Sequence, residues 1–474
     1  MRGQRRKKRE PWRIGRRKRS GGGGREPRSP SSSSRLPRVN WTEYLLLAAP
    51  VEVHRYILSN PEIAVDTPYV KKIDSVLRSA TPRTLTNFVI THYIFSWLPV
   101  LEAKYRKLID TFASNLGTTI PQKRSEVCFD LISYSYRHAL LAIYARSKKY
   151  GNGAKPIIDK MVREIVGSFK DELNKNEWMG DEFKKNVLKK LDHMKATLLY
   201  DELSANDTAL DNVYFEHLKI KYKELSFFRM LDEVMYAGKK MLFYKLNQDF
   251  DTKKTYSSIA AHFDDPINAF YLPNSNSLVV PLGIVQYPIF DPTFPNAFNY
   301  GSIGFILAHE ISHGFDPRGI QFDYTGELKK WYKEEWIKKF YKKAVCYIKQ
   351  YNEKTIPIFD EAINGTLTLG ENVADNEGMR IDYLAVKKHQ DKYGEDARTD
   401  FVEEFTNDQL FFLSFAMALC TKTSDLTLHQ ELLSDHASNV YRVNNVALNT
   451  PAFAGSFFCP PGSRMNPHDR CSVW

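Results

Sequence analysis

Apolar residues recur at helical spacing from about residue 40 to about residue 240. Two windows carry a continuous apolar stripe, the pattern of an amphipathic helix that packs against a core. No titratable residues cluster in this half, so we predict a helical domain over residues 39–244 with a structural or substrate-enclosing role. The first stripe contains Ile157, Ile158, Met161, Val162, Ile165, Val166 and Phe169, and the second contains Phe183, Val187, Leu188, Leu191, Met194 and Leu198.

The pattern changes after about residue 245, where short β-prone runs replace the helical stripes. The runs Ile267–Tyr271 and Ser277–Pro281 flank the turn sequence Pro273–Asn276, which predicts a strand, a turn and a second strand. Pro281, at the end of its run, suits an edge strand whose backbone groups are free for an extended ligand. Helical periodicity resumes over two stretches, from about Asn299 to Phe315 and from Leu369 to about Tyr393.

Composition places most of the basic charge in an amino-terminal segment. The chain has 474 residues, 43% hydrophobic and 26% charged, with a formal net charge of +11. These proportions exclude disorder throughout, a collagen and a disulfide-rich mini-protein. Residues 1–40 hold fifteen Lys and Arg residues and two acidic ones, so the remaining chain carries about −2. We expect residues 1–38 to be a disordered, basic, Gly/Ser-rich tail, with a nuclear-localisation or nucleic-acid-binding arm as the alternative, and we expect no nucleic-acid partner for the folded part.

Targeting signals are weak in this sequence. No apolar run reaches the roughly 20 residues of a membrane span, and the basic start is not followed by the apolar segment of a secretory signal. We therefore expect no membrane span in this chain. Three glycosylation sequons, at Asn40, Asn206 and Asn364, fit a secreted glycoprotein.

The strongest chemical signal is a His-Glu-x-x-His sequence in the first helix predicted after residue 245. His309 and His313 are four residues apart and project from one helix face, so both imidazoles can bind a single zinc ion, and Glu310 lies between them. A helix with two surface histidines is the alternative. This helix is apolar on most sides, however, and buried His and Glu side chains need a cation or a full set of hydrogen bonds. We therefore predict one zinc ion (Zn²⁺) per chain.

A third ligand must come from elsewhere, because a catalytic zinc site keeps three protein ligands and one water. Glu371 and Asp375 are four residues apart at the start of the second predicted helix. This spacing allows one acid to bind zinc and the other to accept an imidazole N–H. As isolated residues, the two acids would instead be solvated and would complement the helix dipole. Glu371 is the candidate ligand.

In these motifs and in the landmarks named below, the sequence resembles the neprilysin-type zinc endopeptidases, a family that includes the endothelin-converting enzymes. The resemblance covers about residues 39–474 and implies a mainly α (α+β) fold. It implies an incomplete all-helical capping domain over residues 39–244, a thermolysin-like zinc catalytic domain with a small sheet over residues 245–474, and peptide substrates rather than folded proteins. The landmarks are Asn268–Tyr271, Val280–Ile284, Asn299–Gly301, His309–Asp316, Gly370–Asp375, Gln409–Phe412 and Cys471–Trp474.

The resemblance also implies roles for single residues. The implied zinc ligands are His309, His313 and Glu371, with Glu310 as general base and Asp375 as the partner of a ligand histidine. Zinc chemistry supports this assignment, because zinc acidifies its water and a neighbouring carboxylate can take the proton and later return it to the leaving amine. By resemblance, His436 steadies the oxyanion and Arg442 binds a substrate carbonyl.

Other positions match the family's substrate contacts. Asn268 and Ala269 match an edge strand that pairs with the peptide backbone, in agreement with the predicted hairpin. Four apolar residues match the pocket just beyond the scissile bond, which predicts cleavage on the amino side of bulky apolar residues, although they could equally be plain core. These four are Ile284, Phe305, Ile306 and Leu419. The resemblance further pairs Cys346 with Cys471 in a disulfide.

The sequence departs from the family in several places. Family ectodomains are longer at the amino end and follow a cytoplasmic tail and a membrane span, so we expect an amino-terminally truncated member. Cys128, Cys420 and Cys459 match positions whose partners lie in the missing part, and each lost disulfide removes about 2–4 kcal/mol of stability. Ser434 and Glu377 stand where the family usually has an acid and a glycine.

Two functional hypotheses follow. The first is a zinc-dependent metalloendopeptidase that hydrolyses peptides on the amino side of hydrophobic residues. The alternative is a truncated, catalytically impaired remnant that acts as a non-enzymatic binding protein or represents a gene-model fragment. The resemblance and the sequons favour an extracellular or plasma-membrane ectodomain, although no signal peptide or transmembrane segment is visible. The sequence leaves the oligomeric state open.

Overall fold

The computed structural model describes residues 40–59, 67–115, 123–147, 153–200, 206–247, 267–397 and 402–474. The basic tail predicted over residues 1–38 lies outside these ranges. Contacts divide the chain into two compact units, residues 1–135 with 211–250 and residues 136–210 with 251–474. This grouping differs from the sequence boundary at 244/245, which stays a prediction for the domain organisation.

Helices dominate the described residues before position 250. Several begin at side-chain caps that satisfy free backbone N–H groups, as at Asn40, Thr81 and Ser226. A small buried cluster of Ala49, Val53 and Ile57 lies in the first unit. The helices are α1 (Trp41–Ala48), α2 (His54–Leu58), α3 (Thr67–Ser79), α4 (Pro82–Trp97), α5 (Ala103–Asn115), α6 (Arg124–Arg146), α7 (Ala154–Lys175), α8 (Asp181–Asp192), α9 (Asp207–Val213), α10 (Phe215–Leu218) and α11 (Phe227–Tyr244).

Both predicted apolar stripes belong to the main core of the second unit. In α7 the stripe residues Ile158, Met161, Val162, Ile165 and Phe169 are buried, and in α8 so are Phe183, Val187 and Leu191. The prediction that Met194 and Leu198 continue the α8 stripe is wrong. The helix ends at Asp192, and Leu198 lies in a strand because residues 195–199 pair with the hairpin.

The predicted hairpin is confirmed as part of a three-stranded sheet. The strands are β1 (Lys195–Leu199), β2 (Phe270–Leu272) and β3 (Ser277–Pro281), in the order β1-β3-β2. Strand β3 pairs antiparallel with β2, Phe270 opposite Val279, and parallel with β1, Leu199 opposite Pro281. The expectation that the Pro281 strand lies at an edge is therefore wrong, because β1 covers its other side. Within the described residues, β2 is an edge strand of this sheet, and Asn268 and Ala269 immediately precede it.

The remaining helices surround the two that carry the candidate ligands. Both predicted helices are confirmed, although the first contains a π-helical turn at Tyr300–Gly304. The elements are α12 (Asn296–Asn299), α13 (Phe305–Ser312), α14 (Glu334–Asn352), β4 (Thr355–Ile356), β5 (Glu361–Ala362), α15 (Leu369–Tyr393), α16 (Asn407–Ala418), α17 (Asp425–Glu431), α18 (Asn439–Asn449) and α19 (Pro451–Ser456). Strands β4 and β5 form a separate two-stranded ladder.

Helices α13 and α15 pack closely against each other, and this approach depends on a glycine. A Cβ atom at Gly378 would lie 2.8 Å from the backbone nitrogen of His309, so no larger residue fits between the helices without a shift. The Cys346–Cys471 disulfide, implied by the resemblance, is present and ties α14 to the segment at 471–474. Cys128, Cys420 and Cys459 carry free thiols. In the part of the chain that the structure describes, no helix is both long and apolar enough to cross a bilayer.

Candidate metal centre

The His-Glu-x-x-His sequence lies at the end of α13 and in the short 3₁₀ turn that follows it. His309 and Glu310 are buried, and the side chain of His313 is 15% exposed. The helical repeat places His309 and His313 one turn apart, and their Nε2 atoms are 3.0 Å from each other. The two imidazoles therefore face a common point, as the sequence predicts.

Helix α15 brings Glu371 to that same point. Its Oε2 atom lies 3.3 Å from Nε2 of His309 and 3.3 Å from Nε2 of His313. Nitrogen and oxygen ligands at about 2.0–2.2 Å from a tetrahedral zinc ion are about 3.3–3.5 Å apart. The three predicted ligand atoms thus converge at a spacing suited to a single small cation.

Each histidine has a carboxylate on its far side. Asp375 Oδ1 lies 2.8 Å from Nδ1 of His309, and Asp316 Oδ2 accepts a hydrogen bond from Nδ1 of His313 at 2.7 Å. A proton held on Nδ1 leaves the lone pair of Nε2 directed into the centre. Asp375 was predicted for this position. Asp316 was not assigned a role, and its three-residue spacing from His313 is the signal that could have found it.

Arg442, on α18, makes a bidentate pair with Asp375. Its Nε and Nη2 atoms lie 2.8 Å and 2.7 Å from the two carboxylate oxygens. Asp375 is fully buried, and burial alone would raise its pKa, but Arg442 and His309 hold that pKa far below its usual range. Asp375 is therefore charged over the physiological pH range. Whether Arg442 also binds a substrate carbonyl stays a prediction.

His436 reaches the centre from a loop between α17 and α18. Its Nε2 atom is 3.0 Å from Oε2 of Glu371, and its Nδ1 atom contacts Oδ1 of Asp435 at 3.1 Å. The side chain is 46% exposed, in contrast with the buried ligand histidines. Asp435 thus contacts the far nitrogen of His436, and the exposed ring has access to a bound molecule.

Glu310 lies beside the converging atoms and is not one of them. Its Oε1 atom is 3.9 Å from Nε2 of His309. Burial raises the pKa of Glu310, while His309, His313 and a backbone hydrogen bond from Tyr271 act in the opposite direction. A buried carboxylate with a raised pKa next to a cation site has the properties of a general base.

The donor set fits a divalent cation. Glu371 Oε2 is buried, and no hydrogen bond of acceptable geometry reaches it from the described residues, although three imidazole nitrogens lie within 3.3 Å. A buried carboxylate oxygen needs a partner. Burial would raise the pKa of Glu371, but the three imidazoles keep that pKa far below its usual range, so the oxygen is anionic. Two imidazoles and one carboxylate are the ligand types of a catalytic zinc site.

The predicted substrate residues differ in their burial. Asn268 is exposed and Ala269 is buried immediately before β2, and the Ala269 N–H donates to Oδ1 of Asn268 at 2.9 Å. The four predicted pocket residues belong to the main core or pack against it: Ile284 and Phe305 are buried, and Ile306 and Leu419 are partly buried. Their role as a specificity pocket stays a prediction.

Comparisons with known proteins give matches over most of the chain. Residues 268–473 match the family described as peptidase family M13, and residues 26–201 match a second profile of the same description. Neprilysin-1 of Caenorhabditis elegans is 34% identical over 92% of this chain and 57% of its own length. Endothelin-converting enzyme 1 of Bos taurus is 28% identical over 92% of this chain and 57% of its own length.

A solved structure shares the fold. The zinc metalloprotease ZMP1 of Mycobacterium tuberculosis, solved in complex with an inhibitor, aligns with a TM-score of 0.72 at 22% identity, over 92% of this chain and 65% of that one. This likeness supports the predicted mainly α fold with small sheets. The chain spans just over half the length of the curated relatives it matches.

Proposed function

The chain belongs to peptidase family M13, and on this premise we propose that it is a zinc-dependent metalloendopeptidase that acts on peptides. One observation carries the proposal: Nε2 of His309, Nε2 of His313 and Oε2 of Glu371 lie within 3.3 Å of one another, and this oxygen is buried without a hydrogen bond among the described residues. On the far side of the imidazoles, Asp375 Oδ1 lies 2.8 Å from Nδ1 of His309, and Asp316 accepts a hydrogen bond from Nδ1 of His313. A donor set oriented in this way is suited to one Zn²⁺ per chain.

Glu310 is the general base in this proposal. A bound Zn²⁺ would supply Lewis-acid polarisation of the scissile carbonyl and a water of lowered pKa. Glu310 takes a proton from the attacking water and later delivers it to the leaving amine, and its burial supports both roles because it raises the pKa of the carboxylate. No other described carboxylate lies beside the converging atoms without belonging to the ligand set or holding a histidine.

His436 and Arg442 are proposed to act on the substrate. The Nε2 atom of His436 is on the centre's exposed side, where a positively polarised donor can steady an oxyanion. Arg442 is bound to Asp375 through Nε and Nη2, and we propose that its guanidinium also meets a substrate carbonyl. Asn268 and Ala269, at the free edge beside β2, are proposed to pair with the extended peptide backbone.

Cleavage is proposed on the amino side of bulky hydrophobic residues. The apolar side chains of Ile284, Phe305, Ile306 and Leu419 support this specificity, since such a lining favours an apolar substrate side chain. We place the chain at the extracellular side of the cell, as a secreted or membrane-associated ectodomain. The Cys346–Cys471 disulfide supports this location, because disulfides persist mainly in oxidising compartments.

The experiment combines zinc content with peptidase activity. The purified chain, Glu310→Gln and the control Glu335→Gln, which changes an exposed glutamate in the first turn of α14, are compared before and after a chelator. Before the chelator is added, we expect one zinc per chain in all three proteins. We expect the rate of cleavage to fall by at least about 100-fold for Glu310→Gln only. A peptide panel with Phe, Leu, Ala or Asp after the scissile bond tests the specificity.

The outcomes separate the two hypotheses. Zinc binding without cleavage by the unmodified chain would support the non-enzymatic binding protein, as an intact metal centre with an incomplete substrate site. A chain that binds no zinc would refute the metal centre. Cleavage that Glu310→Gln leaves intact would refute the role of Glu310 while keeping the enzyme.

A further inference from the structure

Lys190, near the end of α8, is fully buried. Its Nζ atom donates hydrogen bonds to the carbonyl oxygens of Gly319 at 2.7 Å and Phe322 at 2.8 Å. Among the described residues, no carboxylate lies within ion-pair distance of Nζ. Burial of an ammonium group is unfavourable unless the group is hydrogen-bonded. The two carbonyl groups that Nζ of Lys190 binds therefore indicate its role.

Both carbonyls belong to the turn that follows the metal-binding helix. The Gly319 N–H donates to Oδ1 of Asp316, whose Oδ2 accepts the hydrogen bond from Nδ1 of His313. The same turn also packs on the backbone of His313, because a Cβ atom at Gly319 would lie 1.8 Å from the His313 carbonyl oxygen. Gly319 therefore connects Lys190 on one side to Asp316 on the other, and Asp316 orients a ligand.

The hairpin formed by β2 and β3 binds the backbone of Lys190. Its carbonyl oxygen accepts a hydrogen bond from Nδ2 of Asn276 at 2.8 Å, and Nδ2 also reaches the carbonyl oxygen of Tyr324 at 3.2 Å. Tyr271, in β2, donates to Oδ1 of Asn276 at 2.9 Å. The hairpin, α8 and the turn at 316–324 thus form one hydrogen-bonded cluster, and Lys190 lies at its centre.

We propose that Lys190 is a positioning residue of the metal centre: its Nζ atom fixes the turn at 316–322, so that Asp316 holds His313 with Nε2 directed at the cation. This inference rests on the proposed zinc function. It assigns a role to a residue 123 positions before His313 in the sequence that contacts none of the ligands. Loss of the two Nζ hydrogen bonds should therefore lower the zinc affinity through its effect on Asp316.

The test measures zinc affinity separately from stability. Lys190→Met keeps an unbranched apolar side chain as far as Cε and removes Nζ with both of its hydrogen bonds. Val187→Ala, a truncation of a buried apolar side chain one turn earlier on α8, is the matched control for a loss of packing. Zinc dissociation constants come from competition with a chelator, the coordination geometry from the absorption spectrum of the Co²⁺-substituted chain, and stability from urea unfolding of the metal-free chain.

We expect Lys190→Met to raise the zinc dissociation constant severalfold and to change the Co²⁺ spectrum, with the about 10- to 100-fold effect of losing a direct outer partner of a ligand as the upper limit. Val187→Ala should leave the zinc dissociation constant unchanged within about twofold and should leave the Co²⁺ spectrum unchanged. We expect this even if Val187→Ala lowers the free energy of unfolding more than Lys190→Met does. Lys190→Gln keeps a donor of shorter reach, should have an intermediate affinity, and replaces the Met variant if that chain does not fold.

A double-mutant cycle tests the route through Asp316. Asp316→Asn should weaken zinc binding by itself, and Lys190→Met should add less than about twofold in that background, because both changes act on the same hydrogen-bonded chain. Full additivity would overturn the proposal. The proposal would also be overturned if the unmodified chain binds zinc and Lys190→Met loses stability but keeps the same zinc affinity and Co²⁺ spectrum. Absence of zinc binding by the unmodified chain would instead refute the proposed function on which the inference rests.

Discussion

Replacement of Asp375 by Asn separates two tasks that one carboxylate performs. Asp375 binds Arg442 through both oxygens at 2.7–2.8 Å and lies 2.8 Å from Nδ1 of His309. The Asp side chain is fully buried and that of Arg442 is 12% exposed. The substitution leaves the guanidinium without its partner, and breaking one side of a buried ion pair costs about 3–5 kcal/mol of unfolding free energy.

The effect on zinc is smaller and has a different origin. A ligand histidine that loses its outer carboxylate binds metal about 10- to 100-fold more weakly, which corresponds to about 1.4–2.8 kcal/mol. In the double variant Asp375→Asn/Arg442→Met, no unpaired guanidinium remains, so we expect most of the stability of the metal-free chain to return. The zinc affinity should stay low, because His309 still lacks its carboxylate.

Urea unfolding of the metal-free chain measures the first quantity, and chelator competition measures the second. A double variant that regains both stability and zinc affinity would refute the reasoning, since Asp375 would then act only by neutralising Arg442. Equal zinc affinity in the unmodified chain and in Asp375→Asn would refute the contact with His309 as a determinant of metal binding.

Three further predictions follow from contacts around the centre. Gly378→Ala places a carbon 2.8 Å from the backbone nitrogen of His309, so it should lower the free energy of unfolding by about 1–3 kcal/mol and also weaken zinc binding. The control Gly455→Ala has nothing within 4 Å of the added carbon, so it should be neutral or stabilising in the same thermal unfolding and chelator assays. Burial lowers the pKa of Lys190 to about 7, so above that pH the unfolded chain binds more protons than the folded chain, and the free energy of unfolding should rise by about 2 kcal/mol from pH 7 to 9; a urea series in which Lys190→Met shows the same rise would contradict this. Replacement of both Cys346 and Cys471 by Ala, which opens a crosslink between residues 125 positions apart, should cost about 2–5 kcal/mol in urea, and an unchanged midpoint would show that the crosslink does not stabilise the fold.

Local patterns predicted the main elements and the convergence of the candidate ligand atoms. The four-residue spacing of His309 and His313 places two imidazoles on one helical face in any α-helix, so their convergence requires no knowledge of the tertiary structure. The apolar stripes of α7 and α8 and the turn before β3 are similarly local signals, and the structure confirms them. The assignment of Glu371 needed chemistry as well, because its four-residue spacing from Asp375 is common in solvated helices.

Long-range contacts account for what the sequence did not predict. Pro281 reads as the end of an edge strand, but β1, some 80 residues earlier, pairs along β3 and makes it the central strand. Lys190 follows another lysine on a charged helix and reads as a solvated residue, yet its partners Gly319 and Phe322 are 129 and 132 residues away. Neither position carries a local signal, because the partner that decides its environment comes from a distant part of the fold.

The charges around the centre explain why its side chains must be placed so accurately. Glu371, Asp375, Asp316 and Glu310 bring four carboxylates into one region, and Arg442 provides the guanidinium that faces them. Like charges in a buried site repel one another strongly, so a divalent cation and polarised imidazoles are needed to balance them. Burial acts to lower the pKa of His313, but Asp316 and Glu371 raise it well above its ordinary value. Protons and a cation therefore compete for the same nitrogen atoms, and a residue that fixes Asp316 or Asp375 shifts the competition toward the cation by holding the proton on Nδ1.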